Sequence, residues 1–203
     1  MINRMDRGIG RVLQALDKMN LAKDTLVVFS SDNGGTFEPG NKGASNYHDS
    51  NRPLRGQKGS LEEGGIREPA VVRWPGRVPA GKKSNEIVHM MDVMPSLLAA
   101  TGGKPDPAWK MDGANMLDVW MGKAKAPERT LFWESPIPAR RVVPWMRAAM
   151  RGDFKLLLIN EYRFLYNLAI DPAERRSVLG EYPEVAKKLE AELEEWLATA
   201  TPR

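Results

Sequence analysis

The chain has 203 residues, 42% of them hydrophobic and 28% charged, with 18 glycines, 15 prolines and no cysteine. That composition describes a globular protein able to bury a sizeable core, and it excludes a disulfide framework or thiolate chemistry within the chain. The net charge of +4 is mixed along the sequence: its most basic local feature, Arg140-Arg141, lacks the clustered basic residues and interleaved aromatics of a nucleic-acid site, and no apolar run approaches bilayer-spanning length.

Ile2, Met5, Ile9, Val12, Leu13, Leu16 and Met19 recur at helical spacing, which predicts an amphipathic helix at the start. Charges interrupt every candidate apolar core there, so the stretch does not read as a signal peptide. A short connection leads into an apolar strand at Leu26–Phe29, and a second buried strand is expected at Ala70–Trp74, closed by the Pro/Gly-rich "PGRVPAGKK". A helix running through a tight turn into a continuously apolar strand predicts α/β architecture, with strands covered on both faces. Asp92 reads as the N-cap of a helix with Pro95 in its first turn, ending near Ala100 before Gly102-Gly103; His89, just ahead, reads as structural. After a connection at 103–128, "TLFWES", "WMRAAM", "FKLLLI" and "FLYNL" are short β-type runs. "RGD" at Arg151–Asp153 then reads as a hairpin turn within an antiparallel meander. Pro183 opens a final helix with apolar positions Val185, Leu189, Leu193, Trp196 and Leu197. The composition shift divides the chain at 1–128 and 129–203.

The first strand runs into Asp32, Asn33, Gly34 and Gly35. In open α/β sheets ligands collect at the carboxyl ends of strands. A carboxylate and an amide carbonyl placed there are hard ligands suited to Ca²⁺ or Mg²⁺. The same four residues also suit a simple Asx-turn, and two oxygens fall short of the six to eight that Ca²⁺ takes. The following stretch, "NRPLRGQKGSLEEGGIREPAVVRWPG" from Asn51 to Gly76, carries Arg55, Lys58 and Arg67 on a glycine-rich path. A flexible ammonium beside a cation site suits a tetrahedral oxyanion, although a single loop lysine or arginine is ordinarily just a solvated charge.

These stretches, with "HMMDVMPSLLAATG" and "FLYNLAIDPAERRSVL", resemble the type I sulfatase family, the arylsulfatase-like branch of the alkaline phosphatase superfamily. The resemblance spans nearly the whole chain, and "DNGG" followed by "PLRGxKGSxxEGGIRxP" is its most specific part. It departs at Asn167, where the family usually has Asp, and at Ser177, where it usually has Asn. The resemblance implies part of an alkaline-phosphatase-like α/β sandwich with a mostly parallel central sheet over 1–128. It implies a small antiparallel sheet with a terminal helix over 129–203. It further implies that Asp32 and Asn33 are ligands of an active-site Ca²⁺ (Mg²⁺ is the lesser alternative). Lys58 would contact the sulfate group and help the leaving oxygen depart. Arg55 and Arg67 lie within the motif as loop-holding residues, Arg55 being also a candidate substrate contact. His48, in "NYHDSN", is either a substrate contact or proton donor, or an exposed loop histidine.

The family's nucleophile is a formylglycine made from Cys or Ser in a C/S-x-P-S-R motif. This sequence has no cysteine and no Ser-x-Pro-Ser-Arg; "SPIPAR" at Ser135–Arg140 fails the spacing. The family's early Asp-Asp pair is also absent. The expectation is therefore a carboxyl-terminal portion whose partner is the amino-terminal half of the sulfatase domain, inactive alone and acting on a sulfated small molecule or glycan. Residues 40–50 and 135–145 are the expected local contributors to selectivity, and the resemblance implies a periplasmic or secreted setting. Two rivals stand beside it: a phosphoester or phosphonate hydrolase of the same superfamily, and a non-catalytic remnant with an exposed sheet edge.

Overall fold

Apolar side chains at every third or fourth position build helix α1 (Ile2–Lys18), whose last turn carries Lys18 at the negative end of the helix dipole. The computed structural model describes residues 2–36, 49–135 and 145–199, and in it α1 buries none of its residues: Met5 and Val12 are more than half exposed. Asn20, in the left-handed region, ends the helix while the Leu21 N–H returns to Leu16 O. No helix among the described residues is long and apolar enough to cross a membrane.

The chain forms two compact units, residues 2–30 with 70–127 and residues 31–69 with 128–199. In the first, β1 (Val27–Ser30) pairs with β2 (Ala70–Arg73) in antiparallel register, Val27 opposite Arg73 and Ser30 opposite Ala70. The expected α/β architecture is present here, with one antiparallel pair as the sheet of this unit among the described residues. The apolar runs predict burial on both faces, yet Phe29 and Val71 are exposed, because the described residues supply only two strands to this sheet. Asp92 also does something other than expected. Its side chain does not cap α3 (Val93–Ala100); fully buried, it accepts from His89 N–H at 2.7 Å and from Ala114 N–H at 2.9 Å. Ser96 Oγ donates to Asp92 O and accepts from Met116 N–H, so a buried polar knot ties the start of α3 to the chain before α4 (Leu117–Trp120).

In the second unit, α2 is a single turn at Glu63–Ile66. Strands β3 (Thr130–Ser135), β4 (Met146–Arg151), β5 (Phe154–Ile159) and β6 (Tyr162–Asn167) form the expected meander, in that spatial order and all antiparallel. Arg151 and Phe154 are paired across Gly152 and Asp153, and Gly152 takes a positive φ; "RGD" is the hairpin turn predicted for it. Alternation along the strands splits the sheet into two apolar faces. One, with Ala149, Leu156 and Leu165, is covered by Ala186, Leu189 and Leu193 of α5 (Pro183–Thr199), and Trp196 stacks on Phe132. The other, with Met146, Ala148, Leu157 and Tyr166, receives Leu61 from the glycine-rich loop. The loop that carries Lys58 is thus packed on a rigid sheet.

Candidate functional site

Two backbone segments meet around Asn51. The first is the turn after β1, where Ser31 Oγ donates to Asn33 O and Asn33 Nδ2 donates to Gly34 O. The second is the loop from Asn51 to α2. Asn51 Oδ1 accepts from Gly35 N–H at 2.9 Å, while its Nδ2 donates to Gly35 O at 3.0 Å and to Gly56 O at 3.1 Å. One amide therefore satisfies both main-chain groups of Gly35 and holds the loop beside them. The Lys58 N–H completes the junction by donating to the same Gly35 O at 3.2 Å. The contact is close enough to require glycine: a Cβ on Gly34 would lie 1.8 Å from Gly64 O.

The structure accordingly brings together the backbone segments that carry Asp32, Asn33 and Lys58. Asp32 is exposed, Asn33 half-buried, and Lys58 projects from an exposed position between Gly56 and Gly59, both with positive φ. Near Asp32 lies Glu68, whose Oε1 is buried with no hydrogen-bond partner among the described residues. Burial, and then the charge of Asp32, push the Glu68 carboxyl above its ordinary range. A cleft of about 420 Å³ opens beside it, lined among others by Asn51, Arg52, Arg67 and Glu68.

The other predicted residues separate by role. Arg55 is engaged on several sides: Nε pairs with Glu62 at 2.5 Å and Nη1 donates to Glu174 O at 3.0 Å, with Tyr166 Oη at 3.5 Å. Arg67 lies 3.6 Å from Glu63. His48, and residues 37–47 and 136–144 with it, lie outside the described residues. Sequence reasoning missed two things. Asn51 was only a letter in the motif, and its bonding to Gly35 and Gly56 has no local signature. Lys155, fully buried between Glu63 and Glu174, carried one: a lysine inside the apolar run "FKLLLI".

The donor set fits a hard cation in kind, since Asp32 takes no hydrogen bond or ion pair among the described residues and the Glu68 carboxyl lies nearby. It falls short in number: among the described residues no cluster of three or more His, Cys, Asp or Glu could hold a metal.

Comparison with known proteins gives two family matches, "Sulfatase" over residues 1–103 and "N-sulphoglucosamine sulphohydrolase, C-terminal" over residues 57–199. Human arylsulfatase A is 30% identical over 87% of the chain, and a sulfatase of Formosa agariphila is 32% identical over 97%. The chain spans 38% of the length of each. Among solved structures, Ps i-CgsB superposes with a TM-score of 0.83 at 31% identity, over 97% of this chain and 41% of that one. It has also been solved in complex with k-i-k-neocarrahexaose.

Proposed function

The chain belongs to the sulfatase family, and on that premise we propose that it is the carboxyl-terminal portion of the catalytic domain of a sulfuric ester hydrolase. In this reading Asp32 and Asn33 give two oxygens to a divalent cation, calcium before magnesium, and Lys58 meets the sulfate group. The observation that carries it is the pattern of pairing around the Asn51 clamp. Arg55, Glu62, Glu63 and Arg67 are all ion-paired, whereas Asp32 and Lys58, joined through Gly35, take no ion pair among the described residues. Charges left uncommitted at one junction are available to a ligand.

A bound calcium ion would supply positive charge that polarises a sulfate oxygen, and its remaining ligands would come from outside these residues. The Lys58 ammonium donates hydrogen bonds to the sulfate group. It offsets the negative charge that builds on the leaving oxygen as the S–O bond breaks, and it can hand that oxygen a proton. The formylglycine nucleophile would likewise come from the amino-terminal half of the domain, because the motif that yields it is absent here. Arg55, held on several sides, serves the loop rather than the substrate. The substrate is a sulfated small molecule or glycan; the carbohydrate bound by Ps i-CgsB supports the latter. The family resemblance alone suggests a periplasmic or secreted setting.

The test is turnover of an aryl sulfate by the enzyme that carries this chain. Lys58→Ala should lower kcat by about 10²-fold or more, and Asp32→Ala should abolish calcium dependence together with activity. Near-parent turnover by Lys58→Ala, or an enzyme that cleaves phosphate esters alone, refutes the assignment.

A further inference from the structure

Lys155 is the anomaly of this molecule. It sits in β5 with none of its side chain exposed, and lysine is almost never fully buried unless its charge is met. Its Nζ lies 2.8 Å from Glu63 Oε1 and 2.9 Å from Glu174 Oε1, with both carboxylates buried. The second of these is an ion pair rather than an aligned hydrogen bond. Glu174, held at a positive φ, uses its other oxygen to accept the Glu63 N–H at 2.7 Å, and its main-chain oxygen accepts from Arg55. The groups that face one another here are Glu62, Glu63, Glu174 and Tyr166 against Arg55, Arg67 and Lys155. With Tyr166 neutral, three carboxylates meet three cations.

Four of those charges belong to residues 55–67, the loop on which Lys58 rides; Lys155 and Glu174 come from β5 and from the chain after β6. Lys58 itself stands between two glycines with positive φ, a stretch with little stiffness of its own. Its own N–H is held by Gly35 O, and the rest of its placement is inherited from what fixes the chain on either side: Arg55 and Gly56 before it, and Ser60 to Ile66 after it. Burying charges is expensive, and replacing a whole buried ion cluster by packed apolar residues is often neutral or stabilising, whereas removing one partner strands the others. What the charges add over an apolar residue is direction, since an ammonium held by two carboxylates and an N–H held by one of them set a single docking register.

We infer that Lys155 is a positioning residue: through Glu63 and Glu174 it locks the backbone that carries Lys58 onto the antiparallel sheet. The role of Lys58 itself rests on the function proposed above; the locking of the loop does not.

Two measurements test it. In the 203-residue chain, peptide-resolved hydrogen exchange of Lys155→Met should show residues 55–66 exchanging tenfold or more faster than in the parent at neutral pH, with β4 and α5 little changed. Lowering the pH to about 5.5 should recover part of the protection relative to the parent, because the stranded carboxylates can then take up a proton. Should Lys155→Met not fold, Lys155→Met/Glu63→Gln/Glu174→Gln removes the stranded charge and carries the same comparison. Unchanged protection of 55–66, or an equal rise across the whole unit, overturns the inference. In the enzyme that carries this chain, Lys155→Met should lower kcat about 10²-fold with KM little altered, and adding it to Lys58→Ala should cost nothing further. An additive loss means that Lys155 does not act through Lys58. If Lys58→Ala alone leaves turnover intact, the sulfatase reading fails while the exchange result still decides the lock.

Discussion

Replacing Gly34 by alanine tests whether the turn after β1 and the lysine loop form one unit. Gly34 is buried and its N–H donates to Gly65 O at 3.1 Å. An added Cβ would stand 1.8 Å from Gly64 O and 2.8 Å from Gly64 C, both main-chain atoms that no side-chain rotation can clear. Reaching even a tight 3.0 Å contact requires the turn to withdraw by about 1.2 Å. That retreat breaks the Gly34–Gly65 hydrogen bond, worth about 1 kcal/mol. Overpacking adds roughly 1–3 kcal/mol, so the expected destabilisation is about 2–4 kcal/mol. Gly59→Ala is the control: its Cβ meets nothing within 4 Å, and only the positive φ opposes it, at about 1–2 kcal/mol. Urea unfolding gives the energies, and hydrogen exchange over residues 51–58 reports whether the clamp opens. If Gly34→Ala proves no more costly than Gly59→Ala and leaves that exchange unchanged, the two segments are not joined as described.

Asn51→Ala removes three hydrogen bonds at the same junction and should cost roughly 2–3 kcal/mol; a change under about 0.5 kcal/mol in chemical denaturation would contradict its role as clamp. The pH dependence of stability should carry the mark of Glu174. Burial, opposed by Lys155, raises its carboxyl above the ordinary 4.5. An acid whose folded pKa is raised contributes stability fully below its unfolded value and loses it as pH rises through the folded one. Stability of the parent relative to Glu174→Gln should therefore decline from about pH 4.5 upward, measured as the difference between urea midpoints across pH 4 to 7. Parallel curves would show that Glu174 titrates as it does unfolded.

Local periodicity made most elements legible. The 3.6-residue repeats of α1 and α5, the strands of the meander and the "RGD" hairpin all form where the sequence places them. What failed to show was whatever depends on distant residues. Continuously apolar β1 and β2 predict two covered faces, but coverage is a property of neighbours, and the described residues give each strand only the other. Asp92 stands where an N-cap should, yet its carboxylate is drawn to an N–H 22 residues away. Glu63 meets Lys155 across 92 residues, a separation that no window of sequence reports. In the candidate site, the two segments that carry Asp32, Asn33 and Lys58 were legible because the turn and the glycine loop are each encoded in a short run. Asn51, which joins them, was not.

The same structure shows why Lys58, on the loop, and Lys155, on the strand beneath it, are not interchangeable. An ammonium paired with two carboxylates at 2.8 and 2.9 Å can position a backbone, but fully buried it is out of reach of a ligand. An ammonium free in solvent can reach a ligand, but by itself it has no fixed address and would lose entropy on each encounter. Separating the tasks resolves the conflict: Lys155 fixes the chain from beneath, where charge is matched and water excluded. Lys58 keeps an exposed side chain on a backbone that Gly35 and Asn51 hold from the other side. A site is held to useful tolerance by such support more than by its contacting groups. On this argument an exchange of the two roles fails in both directions. Pairing Lys58 with a new neighbouring carboxylate would leave the loop ordered but remove its spare charge, while neutralising Lys155 would leave the charge and remove its address.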